Sequence, residues 1–238
     1  MTSVPDHPED ERTFRSEFAE AVRDYSLFVS RGYPTKGVLK LVGDRYRLSG
    51  TERNILYRGV VSNEVAERRR RRLLSLPGEV PAGATLVIDA HNLLFTVVNY
   101  LQGRTAFISV DGYLRDAGNP ARRIRAGREF LRAVEETGRC LAALRPATVT
   151  AYFDEPVTYS KDHIGASRRA WAGLAGSVEL QLVPSADQAV KAGRPDVLIT
   201  SDSTLIDATT APTGDMARWI IEEAFGARVP DLSWFLGE

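Results

Sequence analysis

Short continuous apolar runs between residues 84 and 202 constrain the fold of this chain more than any other feature. Apolar runs without alternation are typical of strands buried on both faces of a parallel sheet. The runs are Thr85–Asp89, Ala147–Asp154, Val178–Val183 and Asp196–Asp202. Segments with helical spacing lie between and after them, at 121–144, 162–174, 186–192 and 215–225. Strands that alternate with helices predict an α/β fold with a parallel, doubly wound sheet.

The first third of the chain has helical spacing throughout. Helices are predicted over 12–30, from Pro34 to Gly43, after the capping box formed by Ser49 and Glu52, and from about Ser62. Turn-forming Pro and Gly residues at 77–83 then interrupt the pattern. We therefore predict an all-helical module at 1–76 and an α/β domain at 84–238.

Composition excludes several classes of protein. The chain has 238 residues with one cysteine, Cys140, so an internal disulfide is excluded, and its three scattered histidines do not suggest zinc. The opening residues lack the apolar segment of a secretory signal, and no later stretch is long and apolar enough to span a bilayer. We therefore expect a cytoplasmic protein without a membrane partner.

Charge is unevenly distributed along the chain, although the formal net charge is zero. Residues 31–72 hold 12 Lys and Arg against four Asp and Glu, and they include five consecutive arginines, Arg68 to Arg72. A basic segment of this kind favours an anionic partner, and we predict nucleic acid. The alternative is that the arginines form a solvated helix face, because five in succession surround a helix completely.

Three of the four predicted strands end in an aspartate, namely Asp89, Asp154 and Asp202. The carboxyl ends of neighbouring parallel strands border the crevice where ligands bind, so these carboxylates are predicted to converge. Converging carboxylates repel one another unless a hard divalent cation compensates them, and Mg²⁺ or Mn²⁺ fits an all-oxygen site. Local capping of the following helix is the alternative for each aspartate, most of all for Asp154.

Four motifs in this region resemble the ordered motif series of the NYN/PIN-like ribonuclease superfamily, especially its YacP-like branch. They are VIDAHNLL, AYFDEPVTYS, LVPSADQAV and VLITSDSTLID, and they fall within residues 84–210. The combination of a basic helical module and this domain is also similar to an uncharacterised prokaryotic family of domains of unknown function. The first motif departs from the superfamily, which commonly has Gly and Tyr where this chain has Ala90 and His91.

The resemblance implies a PIN-like sheet and cleavage of RNA by a metal-activated water. It implies the catalytic residues Asp89, Asn92, Asp154, Asp187, Asp202 and Asp207, of which Asp89, Asp187 and Asp202 hold Mg²⁺ or Mn²⁺. The segment from Asn99 to Asn119 is an insertion relative to the superfamily pattern, and we expect it to line the cleft with Arg104, Asp111, Arg115 and Asp116. The predicted nucleic-acid-binding residues are therefore Arg68, Arg69, Arg70, Arg71, Arg72, Arg104 and Arg115.

Two other functions are consistent with the same residues. One is a catalytically silent module that binds nucleic acid or protein on the same fold. The other is a metal-dependent phosphatase for small esters, which requires a closed pocket in place of an open groove. This chain has an acidic residue at five or six of the site positions, and that number favours the nuclease hypothesis.

Overall fold

The structure of the protein is a computed structural model that describes residues 14–117, 123–174 and 176–237. The helices are α1 (Ser16–Ser30), α2 (Thr35–Arg45), α3 (Gly50–Gly59), α4 (Asn63–Arg70), α5 (Ala90–Leu101), α6 (Arg128–Leu144), α7 (Ser160–Ala170), α8 (Ala186–Ala192), α9 (Ser203–Ala208) and α10 (Met216–Trp219). The strands are β1 (Leu73–Leu74), β2 (Thr85–Asp89), β3 (Ala106–Ile108), β4 (Leu114–Asp116), β5 (Thr148–Asp154), β6 (Ser177–Val183), β7 (Val197–Ile199) and β8 (Thr213–Gly214). A π-helical turn at Ile220–Ala224 follows α10, and a 3-10 helix spans Leu232–Leu236.

The chain divides into two compact units that are not continuous in sequence. Of the described residues, the first unit contains those within 1–71, 103–119 and 227–238, and the second contains those within 72–102 and 120–226. The predicted boundary at 77–83 lies close to residue 72, where the chain first passes from the first unit to the second. The later segments 103–119 and 227–238 belong to the first unit again. They do so because their apolar side chains complete its core.

The core of the first unit is built on one face of α1. Phe18, Val22 and Tyr25 recur at helical spacing along this face and are fully buried. Phe107 of β3 and Leu232 of the 3-10 helix belong to the same cluster. The predicted capping box is confirmed, since the Ser49 side chain accepts from the Glu52 N–H and the Glu52 carboxylate accepts from the Ser49 N–H.

Part of the arginine run is internal to this unit. Arg69 is 6% exposed and donates to Asp111 Oδ2 at 2.8 Å, and Arg115 donates to the same oxygen at 3.2 Å. Burial would raise the pKa of Asp111, but Arg115, Ser109 and Arg69 outweigh burial and lower it. Two predictions are corrected here: Arg69 and Arg115 are not on a nucleic-acid-binding surface, and Asp111 does not line a cleft, because all three form a buried ion-pair cluster.

The second unit contains a six-stranded sheet in the order β1-β8-β7-β2-β5-β6, and every neighbouring pair is parallel. The predicted α/β class is therefore confirmed, with a helical region preceding a parallel sheet. Strand β2 is central, pairing Ile88 with Ala151 of β5 and with Ile199 of β7. The strands that follow it in the chain are added first on one side, as β5 and β6, and then on the other, as β7 and β8.

Helices cover both faces of this sheet. Val87 and Leu198 are neighbours on one face and pack with Val190 of α8 and Leu205 of α9. Leu86 and Ile88 point to the opposite face because side chains alternate along a strand. Helix α5 packs on β2 and β5, and α6 and α10 pack against α5.

The predicted strands and helices of the second unit are largely present, with shorter ends. Predicted strands 85–89 and 147–154 correspond to β2 and β5, and predicted helix 186–192 corresponds to α8. Predicted helix 121–144 begins at Arg128, and its residues 121 and 122 lie outside the described residues. Helices α5 and α9 and strands β1 and β8 were not predicted. None of the helices in the described ranges is long and apolar enough to cross a membrane.

Candidate functional site

The carboxyl ends of β2 and β7 meet at the point where the strand order of the sheet reverses. The chain leaves β2 into α5 on one face and leaves β7 into α9 on the other. A crevice forms between such diverging connections, and ligands of open α/β sheets bind there. Asp89 is the last residue of β2, and Asp202 lies between β7 and α9.

Strand register places several polar side chains on the same face of the sheet at this edge. Asp89 is two residues beyond Val87 and therefore shares the face that α8 and α9 cover. Asp89 pairs with Tyr152 of β5, so Asp154, two residues further along β5, shares this face as well. Asp187 lies in the first turn of α8, whose side chains pack on this face. The structure thus brings together the aspartates of two strand ends and two helix starts.

Asp89 is the most buried of these carboxylates, with 5% of its surface exposed. Its Oδ2 accepts a hydrogen bond from the Thr200 hydroxyl at 3.2 Å. Burial raises the pKa of the Asp89 carboxyl to about 7, and the negative charges of Asp202, Asp154 and Asp187 contribute in the same direction. Asp89 therefore lies close enough to the other three carboxylates to be affected by each of them.

Asp202 and Asp187 present oxygen atoms at this edge. Asp202 Oδ1 caps α9 by accepting from the N–H groups of Thr204 at 2.7 Å and Leu205 at 3.3 Å. Within the described ranges, Asp202 Oδ2 and both Asp187 carboxylate oxygens accept no hydrogen bond. Burial and the charge of Asp202 raise the pKa of Asp187. The capping alternative thus holds for one oxygen of Asp202 and leaves its other oxygen available.

Asp154 has a different environment from Asp89. Its Oδ1 accepts from the Ala186 N–H at 2.7 Å, so it joins the end of β5 to the start of α8 instead of capping a local turn. The adjacent His91 ring and the Ala186 N–H lower the pKa of the Asp154 carboxyl. Two carboxylates in one site thus differ in proton affinity: Asp154 is ionised at neutral pH, whereas Asp89 titrates near it.

A chain of hydrogen bonds runs from Asp154 through two buried histidines. The Asp154 N–H donates to His91 Nδ1 at 3.0 Å, His91 Nε2 is 3.2 Å from His163 Nδ1, and His163 Nε2 is 3.0 Å from the Ile124 carbonyl oxygen. Because Nδ1 of His91 accepts, its Nε2 donates to His163, whose Nε2 in turn donates to Ile124. Burial lowers the pKa of His163 to about 4. His163 is therefore uncharged near neutral pH.

Asn92 supports the loop that follows β7. Its Oδ1 accepts from the Ser201 N–H and from the Ser201 hydroxyl, both at 3.0 Å. The amide oxygen is thus occupied within the protein, and it connects the first turn of α5 to the residue before Asp202. This contact makes Asn92 a positioning residue for the loop.

Other predicted site residues lie elsewhere. Asp207 is exposed in the last turn of α9, about 140° around the helix from Asp202. The side chain of Arg72 donates to the Thr209 carbonyl oxygen, and Arg70 donates to the Val110 carbonyl oxygen at 3.0 Å. Arg104 belongs to the first unit, as does Arg115. Arg68 and Arg71 are the exposed members of the arginine run.

Two polar residues at this edge were not among the predicted site residues. Thr200 is 2% exposed, and its hydroxyl contacts Asp89 and accepts from the Asp202 N–H at 3.0 Å. Asp215 follows β8, is 5% exposed and lies one residue beyond the pair Ile199 and Gly214. In the sequence, Thr200 is the polar residue that directly follows the apolar run Val197–Ile199, and this position could have identified it. Strand β8 has two residues and offers no such signal for Asp215.

The donors at this edge are oxygen atoms of the kind that Mg²⁺ and Mn²⁺ prefer. Their spacing is wider than in a closed coordination shell, since the described ranges contain no group of three or more His, Cys, Asp or Glu that could hold a metal ion. The chemistry of the donor set thus fits a hard cation, and a bound ion would have to draw the carboxylates together.

Fold and site together define an α/β protein with an acidic crevice at the switch point of a parallel sheet. The chain belongs to the family described as domain of unknown function DUF5616, whose model matches residues 79–218. Residues 17–72 match a second family, described as protein of unknown function DUF434. The chain is also 25% identical over 189 residues to the uncharacterized protein MJ0935 of Methanocaldococcus jannaschii, covering 79% of this chain and 88% of that protein. No solved structure matches the chain.

Proposed function

We propose that this protein is a nuclease that requires Mg²⁺ or Mn²⁺ and hydrolyses phosphodiester bonds in RNA. The observation that carries the proposal is the convergence of Asp89, Asp154, Asp187 and Asp202, which contributes to raising the pKa of Asp89 to about 7. Such a group of like charges is stabilised by a cation or by a proton, and a divalent cation can activate water for phosphodiester hydrolysis. The NYN/PIN-like motif series, which includes all four of these aspartates, is the second argument and makes a PIN-like sheet part of the proposal.

The proposed ion would be held by Asp89, Asp187 and Asp202 and would supply an activated water and charge neutralisation at phosphorus. The protein's own residues prepare that site. Thr200 orients Asp89 through its hydroxyl, and Asp154 holds the start of α8 through the Ala186 N–H, which fixes the position of Asp187. Asn92 fixes the loop before Asp202. No side-chain nucleophile is needed.

Charge supports a polyanionic substrate. A polyanion matches the basic segment 31–72, of which Arg68 and Arg71 are exposed. The preference for RNA over DNA rests on the family resemblance.

A non-catalytic binding module is the second candidate, and one observation favours it. The acidic side chains of the described ranges are not grouped closely enough to hold a metal ion as they stand. Direct measurement of Mn²⁺ binding by electron paramagnetic resonance separates the two candidates: the nuclease proposal expects bound Mn²⁺ that Asp89→Asn and Asp202→Asn weaken, whereas a silent module binds none.

Cleavage of a labelled single-stranded RNA with and without Mg²⁺ tests the activity itself. Asp89→Asn and Asp202→Asn should each reduce cleavage by about two orders of magnitude or more, because each removes a charge that holds the cation. Asp196→Asn is the matched control, since Asp196 lies before β7, at the opposite end of that strand, where it accepts from the Thr85 N–H at 2.8 Å. Equal cleavage by wild type and Asp89→Asn, or no cleavage by wild type, would overturn the proposal.

A further inference from the structure

We infer that Arg125 and Tyr159 form a nucleotide-binding subsite beside the acidic crevice, in which the guanidinium binds a backbone phosphate and the ring stacks on a base of single-stranded RNA. This inference rests on the proposed function for its ligand class. It is supported by contacts that the proposed reaction does not use.

Arg125 and Tyr159 contact each other directly. The guanidinium carbon of Arg125 lies 5.2 Å from the centroid of the Tyr159 ring. Arg125 is exposed and forms no ion pair with any residue in the described ranges, so none of the described carboxylates compensates its charge. An uncompensated arginine over an aromatic ring combines the two elements that bind single-stranded nucleic acid, a cation for the phosphate and a π-face for the base.

The backbone of Tyr159 is in an unusual conformation. Its φ is 70° and its ψ is 17°, in the left-handed region that bulky residues rarely occupy. Such strain costs on the order of 1–3 kcal/mol and persists where the surrounding structure maintains it. Here two turns maintain it, since the Val157 N–H donates to the Asp154 carbonyl and the Ser160 N–H donates to the Val157 carbonyl. A glycine or asparagine would be less strained, so the ring itself is the reason to have tyrosine.

The histidine chain connects this pair to the acidic crevice. His163 donates to the Ile124 carbonyl oxygen, so the residue before Arg125 is anchored to α7, and His91 continues the chain to the Asp154 N–H. His163 also stacks on Phe130 of α6 at 4.4 Å, which fixes the plane of its ring. Tyr159 is five residues beyond Asp154 along a turned segment. The subsite is therefore tied, through Ile124 and this turned segment, to the end of β5, where Asp154 lies.

Fluorescence anisotropy with a short labelled oligoadenylate in EDTA tests the subsite without cleavage. Tyr159→Asn keeps the left-handed backbone and removes the ring, and it should weaken binding about five-fold or more without changing the salt dependence. Arg125→Gln should weaken binding and reduce the slope of log affinity against log salt by about 0.7, the value for one phosphate contact on a single strand. Arg169→Gln, which removes an exposed arginine near the other end of α7, is the matched control and should leave the slope unchanged.

His163 is a positioning residue in this inference, and its test is a double-mutant comparison. His163→Phe keeps an aromatic ring against Phe130 and removes both hydrogen bonds. It should weaken oligoadenylate binding in the wild-type background but add no further loss to Arg125→Gln, because it acts through Arg125. An effect through stability alone would add equally in both backgrounds and would overturn the positioning role.

The outcomes distinguish this inference from the proposed function. In one outcome, Asp89→Asn loses divalent-dependent cleavage, while Arg125→Gln and Tyr159→Asn bind oligoadenylate as tightly as wild type. That outcome would overturn the subsite and leave the nuclease proposal standing. Binding that depends on Arg125 and Tyr159 without cleavage by wild type would support the subsite and overturn the nuclease. Absence of oligoadenylate binding by wild type would overturn the subsite.

Discussion

Asp89 is the residue whose environment departs furthest from that of an ordinary carboxyl group. The sequence was enough to predict that a carboxylate lies at the end of a buried strand. The degree of its burial was not predictable, because burial depends on Thr200 and on helices far apart in sequence. Its raised pKa is likewise a tertiary property, since three of the contributing charges come from β5, α8 and the residue before α9.

The raised pKa makes stability depend on pH in a defined direction. The Asp89 carboxyl has an ordinary pKa of 3.8 in the unfolded chain and about 7 in the folded protein. Between these values the folded state binds a proton that the unfolded state has released, so the free energy of unfolding falls as pH rises from about 4 to about 7. Asp89→Asn removes this dependence and should be stabilised relative to wild type by on the order of a few kcal/mol above pH 7, and little near pH 4.

Urea unfolding of both proteins in EDTA at several pH values checks this prediction. EDTA is needed because a bound cation would compensate the same charge. A difference in stability between Asp89→Asn and wild type that does not vary with pH would contradict it. The depressed pKa of His163, about 4, acts in the opposite direction: stability falls as pH drops from 6.5 towards 4, so the wild-type profile alone does not isolate either group.

At the scale of elements, prediction succeeded where a pattern was local. Strand β2 is a continuous apolar run, and α3 begins at a capping box, so both signals lie within a few residues. The prediction of burial on both faces was wrong for β5, whose burial alternates along the strand. Helix α5 was missed because it is buried almost all round, with ten of its 12 residues buried, and a helix of that kind has no polar face to reveal its period. Strands β1 and β8 have two residues each, which is too short for any pattern.

Helix α3 depends on close packing at its last residue, Gly59. A Cβ added there would lie 2.5 Å from Leu232 and 2.5 Å from Phe107. Gly59→Ala should therefore destabilise the protein by about 1–3 kcal/mol, because the ring and the leucine cannot both move away in a packed core. The measurement is the free energy of unfolding in urea.

Gly37→Ala is the matched control for this prediction. Gly37 lies in α2, and a Cβ added there meets nothing within 4 Å. The same substitution should stabilise the protein by about 0.5–1 kcal/mol, because alanine favours the helix without any new contact. Equal effects of the two substitutions would show that packing at Gly59 is not tight.

At the scale of the whole molecule, the first unit is assembled from three separate segments. Its core includes Phe107 and Val110 from the hairpin that β3 and β4 form as an antiparallel pair, and Leu232 from the C-terminal segment. A fragment of residues 1–76 lacks all three, so we expect it to lose cooperative unfolding and to bind a hydrophobic dye. The full chain, measured by circular dichroism in urea under the same conditions, is the reference. A cooperative transition in the fragment would show that the hairpin and the C-terminal segment are dispensable.

The sequence by itself determined the alternation of strands and helices, the parallel sheet and the positions of aspartates at strand ends, because each is encoded by neighbouring residues. The tertiary structure alone decided which of those aspartates share a crevice, that Arg69 and Arg115 are buried against Asp111, and that residues 103–117 complete the core of the first unit. These features depend on contacts between segments far apart in the chain, and no local pattern specifies which distant surface a side chain will meet.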